Sequence, residues 1–136
     1  MKNLLGRLMT RPFEELKIIA AAWGTISHAQ SPSHNDLAIA VYHTMVERSA
    51  VRSTWESLEP QARSFLAWLL NQRNMLALVD DLPSHIDRPK EEVTPIVDWT
   101  RRIGMVDVDE VLVRGTRVVS SGDNLYAWAP KNQTEA

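Results

Sequence analysis

The 136-residue sequence contains no cysteine, so disulfides, thiolate metal sites and a thiol nucleophile are excluded and a reducing compartment is compatible. Only five glycines occur, and none of them builds a phosphate-cradling glycine-rich loop or a GxSxG nucleophile turn. The four histidines, at 28, 34, 43 and 85, form no HExxH pair or other close ligand set, so no metal is expected. Asp80-Asp81 and Glu91-Glu92 are adjacent pairs, and neighbours on a helix diverge instead of meeting as acid and base. No catalytic residue and no cofactor is expected.

Long apolar runs are also missing. None approaches the roughly 20 residues that a membrane span needs, and Met1 to Met9 has no sustained apolar core of the kind a signal peptide carries. The expectation is a cytoplasmic chain without a membrane partner. A formal net charge of -2 excludes a uniformly basic protein that coats nucleic acid, although a local basic patch is compatible with a near-neutral total.

What is present is 44% hydrophobic residues, enough for one ordinary core or two small ones. Leu4, Leu5, Leu8 and Met9 make a short apolar stripe. Phe13, Leu16, Ile19, Ala20 and Trp23 recur at helical spacing, which predicts a helix from Pro12 to Trp23 that Gly24 stops. Thr25 to Asn35 reads as a polar linker, with Ser33, His34 or Asn35 capping a helix whose buried face is Leu37, Val41, Met45 and Val46. That helix should run to about Glu47 or Ser49. A shorter helical piece from Val51 to Leu58 carries Trp55.

Glu59-Pro60 marks the next start, where Ala62, Phe65, Leu66, Leu69 and Leu70 form the strongest amphipathic face in the chain. Met75 to Val79 is expected as a connection or edge strand, and Asp80 to Ile86 as a two-turn helix. Val93, Ile96, Val97, Thr100 and Ile103 then share one helical face, with Pro89 at the first position, Asp87 or Arg88 as cap, and Gly104 at the end. Pro95 conflicts with a continuous helix: either the helix bends there, as the unbroken apolar spacing favours, or residues 89–93 form a separate turn.

Met105 to Val108, Glu110 to Val119 and Leu125 to Ala129 read as strands. A tight turn is placed at Ser121-Gly122-Asp123-Asn124, with Arg114-Gly115-Thr116 as the second candidate. Residues 131–136 lack an apolar anchor and are expected to fray.

The order of helix, short helix, helix ending Ile103-Gly104-Met105-Val106, then ribbon resembles the winged-helix domains of the helix-turn-helix superfamily over residues 59–130. Residues 12–47, from Glu15-Leu16-Lys17 through Ala22-Trp23-Gly24 to Asn35-Asp36-Leu37-Ala38, resemble the helix–loop–helix of SAP-type modules. Ser31-Pro32-Ser33-His34 replaces the glycine and lysine usual before the second helix. Together the halves are similar to accessory amino-terminal regions of bacterial helicases of the XPB type. The expected fold is therefore mainly α: a SAP-like helical module at 1–58 packed on a winged helix at 59–130 with a small β-hairpin wing.

The resemblance implies a non-catalytic nucleic-acid-binding or regulatory accessory module, with double-stranded DNA as candidate partner. In a DNA-binding winged helix the last helix enters the major groove and the wing touches backbone. Lys90, Thr94, Arg101, Arg102, Arg114 and Arg117 are the candidate contacts on that ground. Four arginines neutralising phosphates would give a log–log salt slope near about -3.6. Against this, residues 91–136 carry eight acids and five bases. The amino-terminal Lys2, Arg7, Arg11 and Lys17 offer more positive charge, so a composite surface is a second arrangement. The rival function is a protein-interaction or dimerisation module on the same scaffold without DNA contact, and the acidic last helix favours it.

Five tryptophans, at 23, 55, 68, 99 and 128, are many for this length. Trp68 and Trp99 lie off the main apolar stripes and are candidate anchors for a protein partner or homodimer. The alternative is that the tryptophans seal the seam between the two halves.

Overall fold

The computed structural model describes residues 4–25, 32–72, 75–110, 116–121 and 124–125. The described residues are mainly helical with a small three-stranded antiparallel sheet, and the chain divides into two compact units, residues 1–57 and 58–136.

The first unit holds α1 (Leu4–Thr10), α2 (Phe13–Trp23), α3 (His34–Met45) and α4 (Arg48–Glu56). Leu16, Ile19 and Trp23 of α2 are buried with Leu37, Val41 and Met45 of α3, as the spacing predicts; Phe13 and Ala20 of the α2 stripe are half-buried, and Ala38 is buried besides. Among the residues expected on the α3 stripe, Val46 differs: the helix ends at Met45 and Val46 is exposed. Two side-chain contacts align the pair. His34 Nε2 lies 2.7 Å from the Arg11 carbonyl, which can only accept, so that nitrogen carries the proton. At the other end Thr25 donates to the Thr44 hydroxyl at 3.1 Å. Start meets start and end meets end, so α2 and α3 run side by side in the same direction.

Ser33 caps α3: its Oγ accepts from the Asp36 N–H at 3.1 Å, while the Asp36 carboxylate accepts from the Ser33 N–H at 3.4 Å. This reciprocal box satisfies donors that the first helical turn leaves unpaired. α2 closes on Gly24, whose φ of 68° lets the Thr25 N–H turn back to the Ala20 carbonyl at 2.9 Å.

The second unit runs α5 (Pro60–Leu70), β1 (Leu76–Leu78), a 3-10 turn (Val79–Asp81), α6 (Leu82–Ile86), α7 (Lys90–Arg102), β2 (Val106–Glu110) and β3 (Arg117–Ser121). β3 lies between the other strands, with Leu76 opposite Ser120 on one side and Val108 opposite Val119 on the other. α5 packs on α7 and on the sheet. Phe65, Leu66, Leu69, Leu82, Met105, Val106, Val119 and Leu125 form the buried centre.

Several expectations need correction. Glu110 pairs with Arg117 and Val106 with Ser121, so the chain reverses between Glu110 and Arg117 and the run from Glu110 to Val119 is not one strand. The hairpin connection therefore includes the second candidate turn; its residues 111–115 lie outside those described. At the first candidate turn, Ser121 is the end of β3, and Gly122 and Asp123 lie outside the described residues. Turn chemistry marks where a chain is able to reverse, while pairing of the valines in β2 and β3 decides where it does. Leu125, expected to open a strand, stands with Asn124 in helical backbone, and residues 126–129 lie outside those described. Pro89 precedes α7 as its N-cap with extended ψ, not as its first residue, and neither Asp87 nor Arg88 caps it. Asp87 instead ends α6 in left-handed backbone at φ 58°.

Among the described residues no helix is long and apolar enough to cross a membrane.

A Cβ added at Gly24 would meet nothing within 4 Å, so Gly24→Ala should cost only its backbone strain, about 1–2 kcal/mol. Urea unfolding should show that loss, with Gly24→Asn retaining more stability than alanine because asparagine tolerates this conformation better.

Candidate nucleic-acid interface

α7 is positioned by its buried face. Val93, Ile96, Val97 and Thr100 are inside, and the Thr100 hydroxyl donates to the Ile96 carbonyl at 2.8 Å. Gly104, at φ 82°, closes the helix: its N–H reaches the Arg101 carbonyl at 3.0 Å and the Met105 N–H the Thr100 carbonyl at 2.9 Å. The chain thereby turns directly into β2. α7 is continuous from Lys90 to Arg102 with Pro95 inside it, so residues 89–93 do not form a separate turn. Pro95 is exposed, which leaves water to satisfy the Glu91 carbonyl that loses its intrahelical donor.

Along one flank of α7, Lys90, Thr94 and Asp98 recur every four residues. They line a cavity of about 370 Å³ together with Asp80 beside α6 and Arg117 at the start of β3. Its apolar wall is Val79, Pro83, Val93 and Val97. Lys90, Thr94 and Arg117 are exposed. No ion pair joins the two bases to Asp80 or Asp98 among the described residues, so all four charges stay hydrated at the rim.

Of the six expected nucleic-acid contacts, the structure thus brings together Lys90, Thr94 and Arg117. Arg101 lies on the same side of α7, three turns from Lys90, and is half-buried; Arg102 is exposed on the outward side. Arg114 lies outside the described residues. The expected composite surface loses two members, because Arg7 and Arg11 are buried at 8% and 5% exposure. Arg11 lies 3.4 Å from Glu15, and Lys17 lies 3.3 Å from Glu14 and 5.4 Å from the Phe13 ring centre. Lys2 is outside the described residues. Amphipathic spacing already hinted at this: Arg7 and Leu8 follow Leu4 by one helical turn, on the side that packs against α3.

The opposite flank of α7 is different. Glu92, Pro95, Ile96 and Trp99 face Glu59, Gln61 and Ala62 of the α5 start across a groove of about 420 Å³. Trp99 is 38% exposed, and Arg88 lies 3.1 Å from Glu92. Trp68, the other expected anchor, stacks on His85 with ring centres 5.1 Å apart and planes inclined by 27°. One face of Trp68 is therefore covered within its own unit. Asp80 and Asp98 beside the bases were not foreseen; the four-residue spacing of Lys90, Thr94 and Asp98 was the available signal.

Among the described residues no cluster of three or more His, Asp or Glu side chains is placed to hold a metal. In comparisons with family models, curated proteins and solved structures, nothing matches the chain.

Proline inside a helix costs about 3 kcal/mol, partly offset by about 0.4–1 kcal/mol from a stiffer unfolded chain. Pro95→Ala should accordingly raise unfolding stability by about 2 kcal/mol, read as a higher urea midpoint at unchanged slope.

Proposed function

We propose that the chain is a non-catalytic accessory module whose second unit is a winged helix contacting duplex DNA through the Lys90 flank of α7 and the start of β3. The observation that carries this reading is the meeting of Lys90, Thr94 and Arg117 around one concavity, although 27 residues of sequence separate Lys90 from Arg117. A helix flank and a hairpin base that converge on one side are what phosphate contact requires, since the last helix and the wing must reach the same duplex.

The element order supports the winged-helix reading. Helix, strand, helix, helix and two strands, with the last strand central in the sheet, follow the plan of such domains. For the first unit, the two co-directional helices joined by residues 24–33 support kinship with SAP-type modules. Asp80 and Asp98 set the limit on affinity: they oppose phosphate, so contact with backbone is weak and strongly dependent on salt.

Anisotropy titrations with a random duplex and with single-stranded DNA, at about 50 and 200 mM salt, test the reading. The intact chain should bind duplex, more tightly at low salt. Lys90→Ala/Arg117→Ala should make the log–log slope shallower by about 1.8, from roughly 0.9 per lost phosphate contact. Asp98→Asn should strengthen binding. No binding at either salt, or a slope that the double substitution leaves unchanged, would overturn the proposal.

A further inference from the structure

Beyond DNA contact, we propose that the groove between the start of α5 and the Trp99 flank of α7 is a docking site for a basic segment of a partner protein. The segment would place one apolar side chain in the groove and a neighbouring lysine or arginine between Glu59 and Glu92.

The floor of the groove is apolar, made by Ala62, Pro95, Ile96 and Trp99. Ala62 and Ile96 are almost fully buried, whereas Trp99 keeps 38% of its surface in water. A large aromatic side chain left half in solvent beside a concavity gains more from a partner than any other group on this flank. The volume of about 420 Å³ falls within the range of pockets that enclose small ligands or anchor side chains.

Charge selects the occupant. Every ionisable group that lines the groove is acidic, Glu59 on one bank and Glu92 on the other. The Glu59 carbonyl accepts from the Arg63 N–H at 3.0 Å, but its carboxylate makes no hydrogen bond or ion pair among the described residues and does not cap α5. Among the described residues the Glu92 carboxylate meets only Arg88, and that pair is exposed on both sides, so it is screened and readily exchanged for another cation. An acidic rim over an apolar floor repels nucleic acid and attracts a basic peptide. The two flanks of α7 thus address different partners: the Lys90 flank faces phosphate and the Trp99 flank faces cationic peptide.

A random heptapeptide library displayed on phage and selected against the intact chain tests this, followed by fluorescence titration of one synthetic peptide from the enriched set. Enriched sequences should carry lysine or arginine within two positions of leucine, phenylalanine or tryptophan. Binding of that peptide should weaken at least tenfold in Trp99→Ala and, independently, in Glu59→Gln/Glu92→Gln, whose surface substitutions leave the fold intact. Lys90→Ala/Arg117→Ala should bind the peptide unchanged. Enrichment of acidic or uncharged peptides, no enrichment, or equal binding by the glutamine variant would overturn the proposal. So would self-association in sedimentation that Trp99→Ala abolishes, which would make a second copy of the chain the occupant.

Discussion

Burial of one face of α7 is the constraint on which the second unit depends. Val93, Ile96 and Val97 lie inside, and each contributes roughly 1.5–3 kcal/mol when fully removed from water. Their sum exceeds the roughly 3 kcal/mol that a proline costs within a helix, so the helix runs through Pro95 unbroken. Thr100 joins the same face because its hydroxyl is satisfied by the Ile96 carbonyl; a buried hydroxyl without that acceptor would work against the packing. With this face fixed, Gly104 directs the chain into β2, β2 aligns β3, and β3 carries Arg117 to the side of Lys90.

Once the inward face is set, the helix has two flanks and they are chemically unlike. One presents Lys90 and Thr94 beside Arg117, with Asp80 and Asp98 in the same concavity. The other presents Trp99 between two glutamates. The flanks therefore differ in composition: the first mixes two bases with two acids, while the second sets an exposed tryptophan between carboxylates. In the first unit Arg7 and Arg11 are buried, so neither presents its charge to solvent.

The helices were legible because each carries apolar residues at a period that only a helix places on one face. The Leu16, Ile19 and Trp23 stripe, the Phe65 to Leu70 stripe and the Val93 to Thr100 stripe are all buried as spacing predicts. The Ser33 cap was legible only as one of three candidates beside His34 and Asn35; Asp36 three positions on, whose carboxylate closes the box, is the signal that selects it. The hairpin was harder. In sequence Gly122 and Gly115 are equally suited to a reversal, and only cross-strand pairing, a long-range property, shows that the chain reverses between Glu110 and Arg117. The candidate surface was legible in part: Lys90, Thr94 and Arg117 were singled out from sequence, and the structure brings them around one cavity. Asp98 could have been read from its four-residue spacing with Lys90 and Thr94, whereas Asp80 depends on how the 3-10 turn approaches α7, which local patterns do not encode. The stacking of Trp68 on His85 is hidden for the same reason.

Amide chemical shifts of the labelled chain, followed during titration with a short random duplex at low salt, test most directly whether the Lys90 flank and β3 are the DNA-contacting surface. Shifts should concentrate at residues 90–94 and 116–118, which the sequence holds far apart and the fold brings together. Shifts confined to the Glu59 and Trp99 flank or to the first unit, or none at all, would contradict it.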